Sequence, residues 1–112
     1  MALKECAQHG YFREDRCPVC TQPGRFLLND RELDHLGRVM TGILRHFPEK
    51  YSLTLDAHGW VSLPELVRAI QGHHRGYHWL RIHHLVGIAE SDPKGRYAVK
   101  DERVRATYGH TV

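Results

Sequence analysis

NDRELDHLGRVMTGILRHFP, residues 29–48, reads as one amphipathic helix with a start and a stop written into it. Leu33, Leu36, Met40, Ile43, Leu44 and Phe47 recur at helical spacing, which gathers them on one face for burial. Asn29, with Glu32 three residues later, forms a capping box that satisfies backbone N–H groups the first turn would otherwise leave open. Pro48 lacks an N–H and ends the helix.

Downstream, Leu53 and Leu55 alternate with polar residues ahead of the turn-rich Asp56-Ala57-His58-Gly59, which predicts a short β segment leading into Trp60-Val61. Ser62 and Glu65 around Pro64 repeat the capping signature and open a second helix carrying Leu63, Leu66, Val67 and Ile70, closed near Gly72. After the loop His73-His74-Arg75-Gly76, a third helix is expected with Trp79, Ile82, Val86 and Ala89 along one side. Asp92-Pro93-Lys94-Gly95 then turns the chain. Two short strands follow, 96–100 and 103–106, and the two-residue link Asp101-Glu102 suits a hairpin.

Upstream, the segment to about Gly24 has Cys, His, Gly and Pro but almost no apolar periodicity, so its order must come from something other than a core. Cys6-x-x-His9 and Cys17-x-x-Cys20 supply four ligands in two close pairs, the arrangement tetrahedral zinc requires. Gly10 lets the chain turn directly after one ligand, and Pro18 stiffens the turn between two others. With all four positions filled by protein, the ion is expected to be structural, one per chain. The later histidines, His73, His74, His78, His83 and His84, lack a clean i, i+4 pair backed by a carboxylate or thiolate. Loop exposure and helix-surface packing account for them better than a second metal does.

The fold class expected is therefore mainly α with a small β-hairpin: a winged helix-turn-helix preceded by a zinc-ribbon or knuckle-like module. At 112 residues there is room for one domain with a short appended module. No apolar run approaches the ~18 residues of a membrane span, and Met1 to Cys6 lacks the apolar core of a signal peptide, so a soluble, cytoplasmic, monomeric protein is expected. The net charge of +3 permits a polyanion partner without demanding one.

Arg38, Thr41 and Arg45 project to one side of the first helix's apolar stripe, and His35, Gly42 and His46 lie beside them, a basic ridge next to a position with no side chain. A guanidinium grips phosphate with a planar fork, and imidazole adds a second donor. From spacing alone, Arg45-His46 reads first as a solvated helix end with favourable C-terminal cations.

The surrounding residues alter that reading. Leu44-Arg45-His46-x-Pro48-Glu49-Lys50, then Leu53-x-Leu55-Asp56-x-x-Gly59-Trp60-Val61-x-Leu63-x-Glu65-Leu66, Asp92-x-Lys94-x-Arg96-Tyr97 and Arg105-Ala106-Thr107-Tyr108-Gly109-His110-Thr111 together resemble the N-terminal lobe of the NAD-dependent RNA 2′-phosphotransferases, the Tpt1/KptA family. The resemblance runs from about Leu33 to Val112, and the zinc module looks like the extension of archaeal members. Family members usually carry Gly where Ser52 stands and Gln where Tyr108 stands.

What the resemblance implies is removal of an internal 2′-phosphate from RNA, as left at a tRNA splice junction. The phosphate attacks the nicotinamide ribose of NAD; the neighbouring ribose hydroxyl then attacks phosphorus, giving 2′-OH RNA and ADP-ribose 1″,2″-cyclic phosphate. It also implies that Arg45, His46 and Arg96 engage the RNA phosphate as catalytic residues and that His110 contacts NAD. The organisation expected is a zinc-binding module at 1–28, a winged-helix RNA-binding lobe at 29–106, and at 107–112 the start of a C-terminal NAD-binding lobe that this chain lacks, leaving it inactive alone. Arg103 and Arg105 alternate with Val104 and Ala106, so the arginines are expected outward. The alternative is a zinc-containing winged-helix regulator that reads duplex DNA with its third helix. Against it, Tyr77 to Glu90 offers one Arg and no Lys, Asn or Gln for base readout.

Overall fold

The computed structural model describes residues 1–107, so the expected NAD contact at His110 lies outside the described residues. Three strands come first: β1 (Leu3–Cys6), β2 (Gly10–Phe12) and β3 (Arg25–Leu28), forming an antiparallel sheet in the order β2-β1-β3. Helix α1 (Asp30–Arg45) follows, then a 3-10 turn (Pro48–Tyr51), strand β4 (Val61–Ser62), helices α2 (Leu63–His73) and α3 (Ile82–Glu90), and the hairpin β5 (Tyr97–Lys100) and β6 (Arg103–Ala106). β4 joins the hairpin through β6, giving a second three-stranded sheet, β4-β6-β5.

Two three-stranded sheets make the protein a mixed α/β fold and overturn the mainly-α expectation. The physical reason is β3. Its four residues show no period-2 pattern of their own and become a strand only by pairing with β1, some twenty residues earlier. The N-terminal segment is thus a sheet rather than a collection of loops.

Both ends of α1 follow the sequence. Asn29 Oδ1 accepts the Glu32 N–H at 2.8 Å, and Glu32 Oε1 accepts the Asn29 N–H at 2.9 Å. Leu33, Leu36, Met40, Ile43 and Leu44 are buried. Phe47 departs from this stripe: the helix ends before it, its N–H bonds the Gly42 carbonyl at 2.7 Å, and its ring is 44% exposed. Ser52, where the family usually has Gly, adopts a left-handed φ of 56° after the 3-10 turn, a conformation for which glycine is the usual residue.

The β segment expected at Leu53–Leu55 does not form. Leu53 is buried and Leu55 half-buried, so their alternation reflects a loop pressed on the core without a strand partner. Asp56 organises that loop, its Oδ1 accepting the N–H of His58 at 2.8 Å and of Trp60 at 3.0 Å. α2 runs one residue past Gly72, with Ser62 Oγ accepting the Glu65 N–H at its start.

α3 starts later than expected, at Ile82, because Tyr77 to Leu80 is a turn; its buried face is His84, Leu85, Gly87, Ile88 and Ala89 rather than the Trp79, Ile82, Val86 stripe. The hairpin turn places Asp101 and Glu102 at φ 52° and 59°, the left-handed pair a two-residue connection needs.

One apolar core joins Leu36, Met40, Ile43, Leu66, Ile70 and Leu85 to Leu3 and Leu28 of the N-terminal sheet. Among the described residues, the far end of that sheet carries a separate cluster of Cys6, Phe12 and Cys17, with Cys20 packed against it. Gly87 marks the seam: a Cβ there would lie 2.8 Å from the Tyr11 ring and 2.9 Å from Leu3 Cδ2, so α3 lies on the sheet too closely for any side chain.

Candidate anion cleft and metal cluster

The hairpin β1–β2 brings Cys6 and His9 to the same point as Cys17 and Cys20. The four ligand atoms lie within 4.8 Å of one another. Cys6 Sγ is 3.5 Å from His9 Nδ1 and 3.6 Å from Cys20 Sγ, and Cys17 Sγ is 3.7 Å from His9 Nδ1. A tetrahedron with Zn–S bonds of ~2.3 Å has edges of about 3.8 Å, so the group can hold a metal ion such as zinc. Burial alone would raise the Cys17 thiol, but bonds from the Cys20 and Val19 backbone and from the other thiols bring it down to about 7, favouring a thiolate; the Cys20 thiol is raised. Gly10 turns the chain after His9 at φ 86°, as its position implied.

A cleft of ≈ 750 Å³ opens between α1 and the junction of α3 with β5. His46 and Arg96 both line it, together with Arg38, Thr41 and Gly42 of the basic ridge. Arg45, half-buried in the last turn of α1, is not among the lining residues.

Asp92, directly after α3, is buried and builds the Arg96 side of the cleft. Its Oδ2 accepts the Arg96 backbone N–H at 2.8 Å and Nε at 3.0 Å, and its Oδ1 accepts Nη2 at 2.8 Å. Burial pushes the Asp92 carboxyl up, but the Arg96 fork outweighs it and holds the group below the usual carboxylate range. The guanidinium is thereby fixed in plane and aim by an ionised partner. Across the floor, Tyr97 Oη lies 2.8 Å from Thr41 Oγ1 and donates to the Gly37 carbonyl at 3.3 Å, which ties β5 to α1.

Arg13, which follows β2, had no sequence signal. It lines the same cleft, donating from Nε to Ser91 Oγ and from Nη2 to the Ile88 carbonyl, each at 2.9 Å. Those partners stand 78 and 75 residues away, beyond any local pattern. Asp92 and Arg96, by contrast, carry an i, i+4 acid-base spacing around a turn that could have been read.

The remaining candidates are held by packing. Arg103 is exposed and Arg105 half-buried, and both lie over the Trp60 ring, at 5.2 and 4.7 Å. Tyr51 Oη meets His74 Nε2 at 2.6 Å, and His35 Nδ1 meets Tyr77 Oη at 2.6 Å. His84 Nδ1 accepts the Arg81 N–H at 2.9 Å, and burial pulls its pKa down to about 4, which keeps the ring neutral.

Fold and site together define a small α/β protein with a Cys/His cluster able to hold a metal ion and a cleft lined by arginines. Residues 30–112 match the model of the RNA 2′-phosphotransferase, Tpt1 / KptA family, and the chain belongs to that family. It is 43% identical over 98% of its length to a "Probable RNA 2′-phosphotransferase" of Methanosarcina barkeri, covering 52% of that protein. A protein of the same name from Thermoplasma acidophilum is 43% identical, with 98% of this chain and 46% of the relative covered. "Probable RNA 2′-phosphotransferase 1" of Archaeoglobus fulgidus is 36% identical, with 98% and 49% covered. The chain spans about half the length of these relatives. Among the described residues no helix is long and apolar enough to cross a membrane.

Proposed function

We propose that this chain is the RNA-phosphate-binding lobe of an NAD-dependent RNA 2′-phosphotransferase and that its cleft receives the internal 2′-phosphate of a spliced tRNA. The observation that carries the reading is the convergence of His46 and Arg96, fifty residues apart, on one cleft with the Arg96 fork braced by a buried carboxylate. Family membership supports an RNA substrate and a transferase activity.

The three helices and the β5–β6 hairpin after them, joined by β4 from ahead of α2, suit a winged helix-turn-helix at 29–106. Residues 1–28 form a structural zinc module, and in the intact enzyme NAD is bound by a second lobe together with His110. In the intact enzyme, working as a cytoplasmic monomer, this lobe's contribution is charge stabilisation at phosphorus. Arg96 presents a planar donor edge to the phosphate oxygens, and His46 at the end of α1 adds an imidazole donor, while Arg45 adds positive field from the same turn. These groups hold the 2′-phosphate as it attacks the nicotinamide ribose, and they bear the charge that builds when a ribose hydroxyl attacks phosphorus in turn. The part of this lobe is to bind and aim the phosphate; turnover requires NAD.

Binding of a short oligoribonucleotide carrying one internal 2′-phosphate tests the reading. Arg96→Ala and His46→Ala are each expected to weaken binding at least tenfold while leaving the affinity for the 2′-OH oligonucleotide unchanged. Equal affinity of both variants and the parent for the phosphorylated RNA would overturn the assignment.

A further inference from the structure

We infer that Arg13, supplied by the N-terminal module, is a further phosphate-binding residue of the cleft and takes the phosphodiester that neighbours the 2′-phosphate. The inference rests on the reading of the cleft given above and extends it to a second anion.

Size is the first argument. At ≈ 750 Å³ the cleft falls in the range of roughly 300–1,000 Å³ that receives whole small molecules, well beyond one phosphate group. An internal 2′-phosphate is also never alone: the 3′ oxygen of the same ribose carries the chain's phosphodiester, so the ligand presents two vicinal anions. A site with cations on one wall only would leave the second anion facing protein without a partner.

Position is the second argument. Arg13 and Arg96 line one cleft, and the Asp92 carboxylate that holds the Arg96 fork acts on both guanidinium groups. Asp34 is paired with Arg38 at 2.8 Å and Asp30 with the Met1 amino group at 3.0 Å, while Glu14 accepts the Arg13 backbone N–H at 3.1 Å. Arg13 therefore brings a second guanidinium to the cleft beside Arg96.

Pre-organisation is the third. The bonds from Arg13 to Ser91 Oγ and the Ile88 carbonyl fix Nε and Nη2, and among the described residues no protein acceptor takes Nη1. The guanidinium is held in one orientation with donor capacity in hand, so little side-chain entropy is lost when an anion arrives. RNA would then run from the helical lobe onto the N-terminal module, whose part in the protein exceeds support.

Salt dependence separates a phosphate contact from a structural one. Each phosphate neutralised on a single strand contributes about 0.7 to the slope of log affinity against log salt. Using the 2′-phosphorylated oligonucleotide across a potassium chloride series, Arg13→Gln is expected to bind several-fold more weakly with a slope shallower by about 0.7. Arg13→Lys keeps the charge, and Ser91→Ala removes an anchor but no charge; both should keep the parent's slope. A folded Arg13→Gln protein with the parent's slope overturns the inference.

A second arm alters only the ligand and needs no variant. Replacing the 3′ phosphodiester beside the 2′-phosphate with a neutral methylphosphonate should lower the parent's slope by the same ~0.7; an unchanged slope again overturns the inference. If the parent failed to prefer 2′-phosphorylated over 2′-OH RNA, the reading of the cleft itself would fall, an outcome distinct from either of these.

Discussion

The two ends of this protein are ordered by different physics. Around α1 the chain is held by an apolar core in which Leu36, Met40, Ile43 and Leu66 are fully buried. Around the cysteines there is Cys6, Phe12 and Cys17 and little else, so order depends on the groups that converge on one point. The consequence is that the same perturbation should act on one end and spare the other, even though Leu3 and Leu28 run the core into the base of the N-terminal sheet.

Metal removal should separate them most. Binding at a site of this type is worth on the order of 10 kcal/mol of apparent free energy. Cys17→Ser, or the parent treated with chelator, is expected to lose one zinc per chain by elemental analysis. Amide exchange should then rise across residues 6–24 while α1 and α2 stay protected; uniform loss of protection would mean the ends are one cooperative unit.

Leu36→Ala is the converse, a core truncation at a fully buried site expected to cost ~2–5 kcal/mol in denaturant unfolding, with the zinc content unchanged.

The difference in physics also explains what could be read in advance. The α1 cap and its buried face were legible because Asn29, Glu32 and the leucines act within a few residues of each other. So was the β5–β6 turn, where two residues must link two strands. The metal ligands were legible because thiol and imidazole spacing is itself the chemistry. β3 and Arg13 were not, since each is defined by a partner far along the chain, Lys4 opposite Phe26 in one case and Ser91 in the other. Leu53-x-Leu55 misled because alternation marks burial as well as pairing. In the cleft, helical spacing already set His46 beside Gly42, whereas the roles of His46 and Arg96 come from the resemblance and Asp92 shows only as an acid four residues ahead of Arg96.

Gly87 probes the seam between the ends. Gly87→Ala forces a methyl against Tyr11 and the fully buried Leu3, and should cost ~1–3 kcal/mol despite alanine's better helix propensity. A neutral result would mean the sheet moves freely on α3.

The smallest effect is a titration within the helical lobe. The His84 pKa is about 4 in the folded protein and ~6.5 when unfolded, so between those values the unfolded chain binds more protons and stability falls as pH drops. The slope should reach at most ~1.4 kcal/mol per pH unit. His84→Gln retains an acceptor for the Arg81 N–H and should flatten the profile between pH 6.5 and 4; an unchanged profile would place the acid sensitivity elsewhere.

Binding of a 2′-phosphate in the cleft between α1 and the α3–β5 junction is tested most directly by amide chemical-shift mapping with the 2′-phosphorylated oligonucleotide. Shifts centred on Thr41, Gly42, His46, Arg96 and Arg13, absent with the 2′-OH oligonucleotide, are the result predicted here. Shifts centred instead on α3 or on Arg103 and Arg105, and the same with or without the 2′-phosphate, would contradict it.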